Sequence, residues 1–145
     1  MHFQPRFAGY AERVHQALRE QPFMSVLLGA HATLVEPGHV VIEMPLRADL
    51  LQPLGMVHGT VATALADSAA GYAAETLVGA DQHIVTVEYK VNFLAPGVGA
   101  KLRASGRVIR AGRTLSVCEA DVYAEGEGEG RHFLHMVTTM MAVGT

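Results

Sequence analysis

Apolar residues recur at helical spacing at the start of the chain and at a spacing of two through its second half. Phe7, Tyr10, Val14 and Leu18 form one stripe while Arg13, Gln16, Arg19 and Glu20 fall elsewhere, which predicts a short helix over about 6–20, ending before Pro22. Two β-prone runs, 30–35 and 39–44, flank Glu36-Pro37-Gly38; the tight-turn signal between them predicts a hairpin. From Ile84 to Leu94, Val85, Val87, Tyr89, Val91 and Phe93 alternate with Thr86, Glu88, Lys90 and Asn92. That period predicts a half-buried antiparallel strand with the odd-numbered set inward.

Between these regions, about 59–78, the chain is built almost wholly from Ala and other small residues. Propensity and length predict the only long helix, and the lack of a wide polar stripe predicts that it is enclosed on all sides. Further β-like runs at 101–110, 114–123 and 131–143 are joined by Ala95-Pro-Gly-Val-Gly99, Ala111-Gly-Arg113 and the acidic glycine run Glu125–Gly130. Short connections predict a four-strand meander, with the glycine run as a solvated hairpin tip. The expected fold is α+β: one domain over 1–145, an antiparallel sheet curled around one long central helix. One sheet face stays open in that arrangement unless the first helix or a partner covers it.

Composition sharpens the expectation of a partner. Half of the 145 residues are hydrophobic and only 17% are charged, with a mean hydropathy of +0.22, an apolar surplus that points to a subunit interface. No run reaches the roughly 18 apolar residues of a membrane span, and the first residues lack the order of a signal peptide, so a cytoplasmic protein without a membrane partner is expected. A net charge of -3 argues against nucleic-acid binding. Cys118, the single cysteine, falls in a strand-like run and is expected to be a buried structural thiol. Of the eight histidines, His31, His39, His58, His83, His132 and His135 are scattered without a ligand motif. His132 and His135, three apart on a strand, are expected to face opposite sides, so no metal site is expected.

Asp67 is the only residue between His58 and Glu75 that carries a charge at neutral pH. A buried lone carboxylate costs several kcal/mol unless it is bonded, paired or neutralised, so it either caps or pairs structurally or it does chemistry. Gly59 stands where the chain enters the long helix, where free N–H groups and the positive end of the dipole can hold an oxygen that gains negative charge. Eight residues of helix place the two about 12 Å apart. One helix cannot bring both to one atom; if they act together, they come from two protomers whose helices run antiparallel across a two-fold axis.

Gln52-Pro-Leu-Gly-Met-Val-His-Gly-Thr-Val-Ala-Thr-Ala-Leu-Ala-Asp-Ser-Ala69 resembles the signature of the hotdog-fold acyl-CoA thioesterases of the phenylacetate-pathway (PaaI-like) and 4-hydroxybenzoyl-CoA thioesterase type. The pattern is Asn or Gln, His-Gly six residues on, and Asp or Glu eight residues past that glycine. The resemblance runs on through Thr86–Pro96 and Gly112-Arg113-Thr114.

It implies a hotdog dimer or tetramer that hydrolyses an acyl-CoA, aryl or medium-chain, with coenzyme A as part of the substrate and no other cofactor. It further implies that the Gly59 N–H is the oxyanion hole, that Asp67 of the opposite subunit is nucleophile or general base, and that Gln52 binds the carbonyl region or positions water. His58 orients the loop, Thr86 holds water, Ser68 assists Asp67, and Arg110 and Arg113 meet the coenzyme A phosphates. Thr60 stands where relatives often carry a second glycine, and Gly71 where some carry Ser or Thr.

Two other classes compete with this reading. An acyl-CoA-binding or sensing module would carry a further domain, for which the residues before the first strand leave no room. A hotdog dehydratase or hydratase would carry Asp-x-Asn-Pro, which Asp49-Leu-Leu-Gln52 does not match.

Overall fold

The computed structural model describes residues 2–128 and 130–144. Its elements are α1 (Tyr10–Arg19), a π-type turn (Phe23–Leu27), β1 (His31–Glu36), β2 (His39–Pro45), α2 (Gly59–Glu75), β3 (Gln82–Phe93), β4 (Lys101–Ala111), β5 (Leu115–Glu125) and β6 (Arg131–Gly144). The six strands form one antiparallel sheet, ordered β1-β2-β4-β5-β6-β3, and α2 lies on its inner face. This is the hotdog arrangement. α1 begins only at Tyr10 because Gly9 weakens the helix; Val14 and Leu18 of its stripe are buried. The acidic glycine run comes after β5, and Glu129 within it lies outside the described residues.

Strand order corrects the expected meander. β4, β5 and β6 succeed one another as hairpins, but β3 lies beyond β6 and β4 pairs with β2. The Ala95–Gly99 segment therefore crosses the sheet ends: the Leu94 N–H donates to Phe133 O, the Val57 N–H to Gly97 O and the Ala100 N–H to Glu125 O. Its proline and glycines announce a turn without specifying the strand that receives it.

Two β-bulges change which side chains face α2. In β3, Thr86 pairs with Met140 and Glu88 with Thr139, leaving Val87 extra. Ile84 and Thr86 therefore point to the helix before the bulge, Val91 and Phe93 after it, while Val85 and Val87 stay 42% and 53% exposed. The strict alternation read from the sequence is broken by one unpaired residue. In β6, Leu134 pairs with Val122 and His132 with Tyr123, so Phe133 is extra. The expectation of opposite faces for His132 and His135 is overturned: both approach Asp121.

Ala62, Ala66, Ala69, Ala70 and Ala73 bury one side of α2. Contact is closest at Gly106 in β4, where a Cβ would stand 2.2 Å from the Ala69 carbonyl carbon; only glycine admits the helix backbone there. The opposite stripe, with Thr60, Val61, Ala64, Asp67, Ser68, Gly71 and Tyr72, is not buried. Within one chain the helix is thus covered on one side, not all round. Small residues signal close approach, and here half of that approach has no partner within the chain.

α2 ends at Glu75, short of 78. Thr76 Oγ1 donates to Ala73 O and accepts the Gly38 N–H, while Arg13 of α1 donates to Glu75 O (2.6 Å) and Gly79 O (2.8 Å). Its Nε lies 3.5 Å from Glu75 Oε1, an ion-pair distance, with only 14% and 9% of the two side chains exposed. Glu75 also accepts from the Ile84 N–H at 2.8 Å. Removing one partner of such a buried pair costs roughly 3–5 kcal/mol, whereas an exposed pair contributes about 1 kcal/mol or less. In urea unfolding, Arg13→Ala is therefore expected to lose several times the stability lost by Arg19→Ala, whose pair with Glu12 is exposed. Equal midpoint shifts would show that Arg13 is not the clasp between α1 and α2. Cys118 is buried as expected, and desolvation pushes its thiol up to about 12, which makes it inert at neutral pH. Among the described residues no helix is long and apolar enough to cross a membrane.

Candidate active site

Asp67 stands on the open stripe of α2, two turns beyond Gly59. Thr86 Oγ1 donates to Asp67 Oδ1 at 2.8 Å, a contact made possible by the Val87 bulge that turns Thr86 inward. Among the described residues no cation pairs with Asp67. Desolvation lifts its carboxyl above the usual carboxylate range, and the Thr86 bond partly offsets the rise. The result is a carboxylate more basic than a free one, suited to taking a proton or attacking a carbonyl carbon. A cavity of about 170 Å³ opens beside it, lined in part by Ser68, Gly71, Tyr72 and Ile84. Ser68 shares the cavity, but its hydroxyl points to Met24 Sδ, 3.5 Å away, instead of to Asp67.

Gln52, His58 and Gly59 gather at the other end of the stripe. His58 has extended backbone angles and caps the helix, its Nδ1 accepting the Thr60 N–H at 3.3 Å. The N–H of Thr60, which replaces the second glycine of the family pattern, is thereby used. The Gly59 N–H has no acceptor among the described residues. It sits at the positive end of α2, the condition for holding an oxyanion. Gln52 Oε1 accepts the Leu54 N–H at 2.5 Å, and the His58 N–H donates to Leu50 O at 2.9 Å, so the loop folds back on itself before the helix. Phe93 covers Gly59, where an added Cβ would meet its ring at 2.8 Å. Sequence alone gives Phe93 no role at the site; its place at the inward end of an alternating strand is the one available sign.

Two candidate half-sites thus stand on one helix, Asp67 with Thr86 and Gly59 with His58 and Gln52, separated by about 12 Å of helix. Arg110 and Arg113 stand apart from both, exposed around the β4–β5 turn and without an ion pair among the described residues.

Residues 54–131 match the model of the thioesterase superfamily. The chain belongs to the thioesterase superfamily. The match contains Gly59, Asp67, Thr86, Arg110 and Arg113. A proofreading thioesterase, EntH, of Klebsiella pneumoniae is 32% identical over 68% of this chain and 72% of its own length. A 1,4-dihydroxy-2-naphthoyl-CoA hydrolase of Listeria monocytogenes is 28% identical over 69% of this chain and 81% of its own. The crystal structure of a thioesterase family protein from Silicibacter pomeroyi superposes with a TM-score of 0.91 at 38% identity, covering 94% of this chain and 100% of that one. This thioesterase is accordingly a thioester hydrolase with the hotdog fold.

Proposed function

We propose that the protein hydrolyses an acyl-coenzyme A thioester, aryl or medium-chain, in sites shared between two subunits. The observation that carries this reading is the presence on one open helix stripe of a carboxylate without a cation and an amide without an acceptor among the described residues. Neither half-site is sufficient by itself. A two-fold axis crossing α2 near Thr63 sets Asp67 of each subunit opposite Gly59 of the other, and the small residues of the stripe leave room for a second helix. The β3 edge supports the same assembly: Val85, Val87 and Tyr89 are 42–53% exposed on an edge strand that pairs with β6 on one side only, a surface that proteins ordinarily cover. The assembly is a dimer or a dimer of dimers.

In the shared site the Gly59 N–H holds the thioester oxygen as it becomes an oxyanion, and Gln52 binds beside it. His58 keeps the turn in place through its cap. Asp67, aligned by Thr86, either attacks the carbonyl carbon to form a mixed anhydride that water then hydrolyses, the departing thiolate taking a proton from water, or takes a proton from the attacking water and passes it to the departing sulfur; either way the carbon–sulfur bond breaks and coenzyme A leaves as the thiol. Ser68 lies next to Asp67 without bonding it. Arg110 and Arg113 receive the phosphates, a reading supported by their exposure and by the lack of an ion pair to either among the described residues. An aryl acid is supported by the naphthoyl group in the name of the Listeria relative. A panel of aryl, short, medium and long acyl-CoAs tests the proposal through release of free thiol by the purified protein. Turnover of one group is the expected result; saturable binding without thiol release across the panel would replace the enzyme with a binding module.

A further inference from the structure

A separate constellation lies on the outer face of the sheet, away from α2. Ala120 and Val122 of β5 are fully buried on the inner face, and Asp121 between them points outward. His135 stands opposite Asp121 in register, its Nδ1 2.8 Å from Asp121 Oδ1. The Phe133 bulge turns His132 to the same face, where its Nε2 lies 2.7 Å from the same oxygen. One ligand atom from each of the three residues falls within 4.8 Å of the others.

His132 Nε2 is buried and, despite its nearness to Asp121, makes no hydrogen bond among the described residues. Asp121 Oδ1 stands 2.7 Å away but out of hydrogen-bond alignment, so the two are close without being satisfied, and a cation shared between them would satisfy both. The His132 ring is held for one: it stacks on Tyr123 at 4.8 Å, Arg103 lies over Tyr123 at 4.9 Å, and Glu125 fixes Arg103 at 2.6 Å.

We propose that Asp121, His132 and His135 bind a divalent transition-metal ion, zinc(II) foremost, as a clamp between β5 and β6. Two imidazoles and one carboxylate favour such ions over magnesium or calcium, which take oxygen ligands. Tetrahedral zinc bonds of about 2.0–2.2 Å set neighbouring ligand atoms about 3.4 Å apart. Binding therefore asks each separation between the Asp121 oxygen and a ring nitrogen, now 2.7 and 2.8 Å, to lengthen by about 0.6–0.7 Å. Three protein ligands leave the fourth position to water. The ion sits across the sheet from Asp67 and takes no part in thioester hydrolysis.

Calorimetric titration of tag-free, metal-stripped protein with zinc(II) tests the site, with cobalt(II) absorption as a second probe. One ion per chain, visible d–d bands, and a melting temperature that rises with zinc are expected. His132→Ala and His135→Ala should each weaken binding at least tenfold. Asp121→Asn, which preserves shape, should do the same with the metal-free melting temperature near that of the parent. Absence of saturable binding at one ion per chain, or affinity unchanged in both histidine variants, would overturn the proposal. Thiol release unaltered by these substitutions is expected, so failure of this inference is separable from failure of the proposed hydrolysis.

Discussion

Asp67→Asn is expected to lower kcat for the preferred acyl-CoA by about 10²–10⁴-fold, the range that a positioned acid–base group contributes. The amide keeps the size of the carboxylate and can still accept from Thr86, which donates to Oδ1 at 2.8 Å, but it can neither take a proton from water nor attack a carbonyl. Stability moves the other way. Burial raises the Asp67 carboxyl above its ordinary value of 3.8, so the folded state prefers the protonated form. The carboxyl contributes most stability below that value and loses it as pH rises through its folded pKa. At neutral pH the ionised group is a net cost, and Asp67→Asn should melt no lower than the parent. Catalysis has the opposite sign, since it needs the carboxylate: kcat/KM should fall as acid is added, through an apparent pKa above 3.8. Retention of more than a tenth of the activity in Asp67→Asn, or an acid limb no higher than that of a free aspartate, would remove Asp67 from the mechanism.

How much of the fold is legible in the residues depends on whether a property is local. The alanine segment specifies a helix because propensity and small side chains act within a few turns, and α2 falls where that segment lies. The β1–β2 hairpin is equally local, set by Pro37-Gly38. Strand order is not local: nothing in the alternation of β3 says that its neighbour is β6, far along the chain, instead of β4. Bulges are harder still. Val87 and Phe133 each add one residue to a strand, carry no distinctive chemistry, and reverse the facing of the residues before them relative to those after them. The first turns Thr86 towards Asp67, and the second joins two histidines that simple alternation separates.

The site is legible in a similar sense. The spacing of Gln52, Gly59 and Asp67 can be read directly, and with helix geometry it calls for two subunits if Gly59 and Asp67 serve one substrate. Arg13 is the contrasting case. Its position off the apolar stripe marks it as a surface charge, yet it reaches the carbonyls that end α2 because Glu75, at the end of the alanine run, is buried and needs a cation. A pairing between residues 62 positions apart leaves no trace in either neighbourhood.

Gly59→Pro is expected to reduce kcat by about 10²–10³-fold, the loss typical of removing one oxyanion donor. Proline deletes the N–H and suits this position: Gly59 is the first residue of α2, where proline is favoured. The preceding His58 has φ −64° and ψ 130°, angles compatible with a succeeding proline. A new Cβ would meet Phe93 at 2.8 Å, but that ring is 55% exposed and can turn. Gly59→Ala supplies the control, since it brings the same Cβ and keeps the N–H; the gap between the two variants isolates the donor. Co-expression with Asp67→Asn then tests the shared site. In a randomly paired mixture half the dimers are mixed, and each mixed dimer holds one site with both defects and one with neither. About a quarter of the parent's activity should return from two inactive chains. If Asp67 and Gly59 served one site within a single chain, no pairing could restore it, and activity at the average of the two residual rates would refute the cross-subunit arrangement.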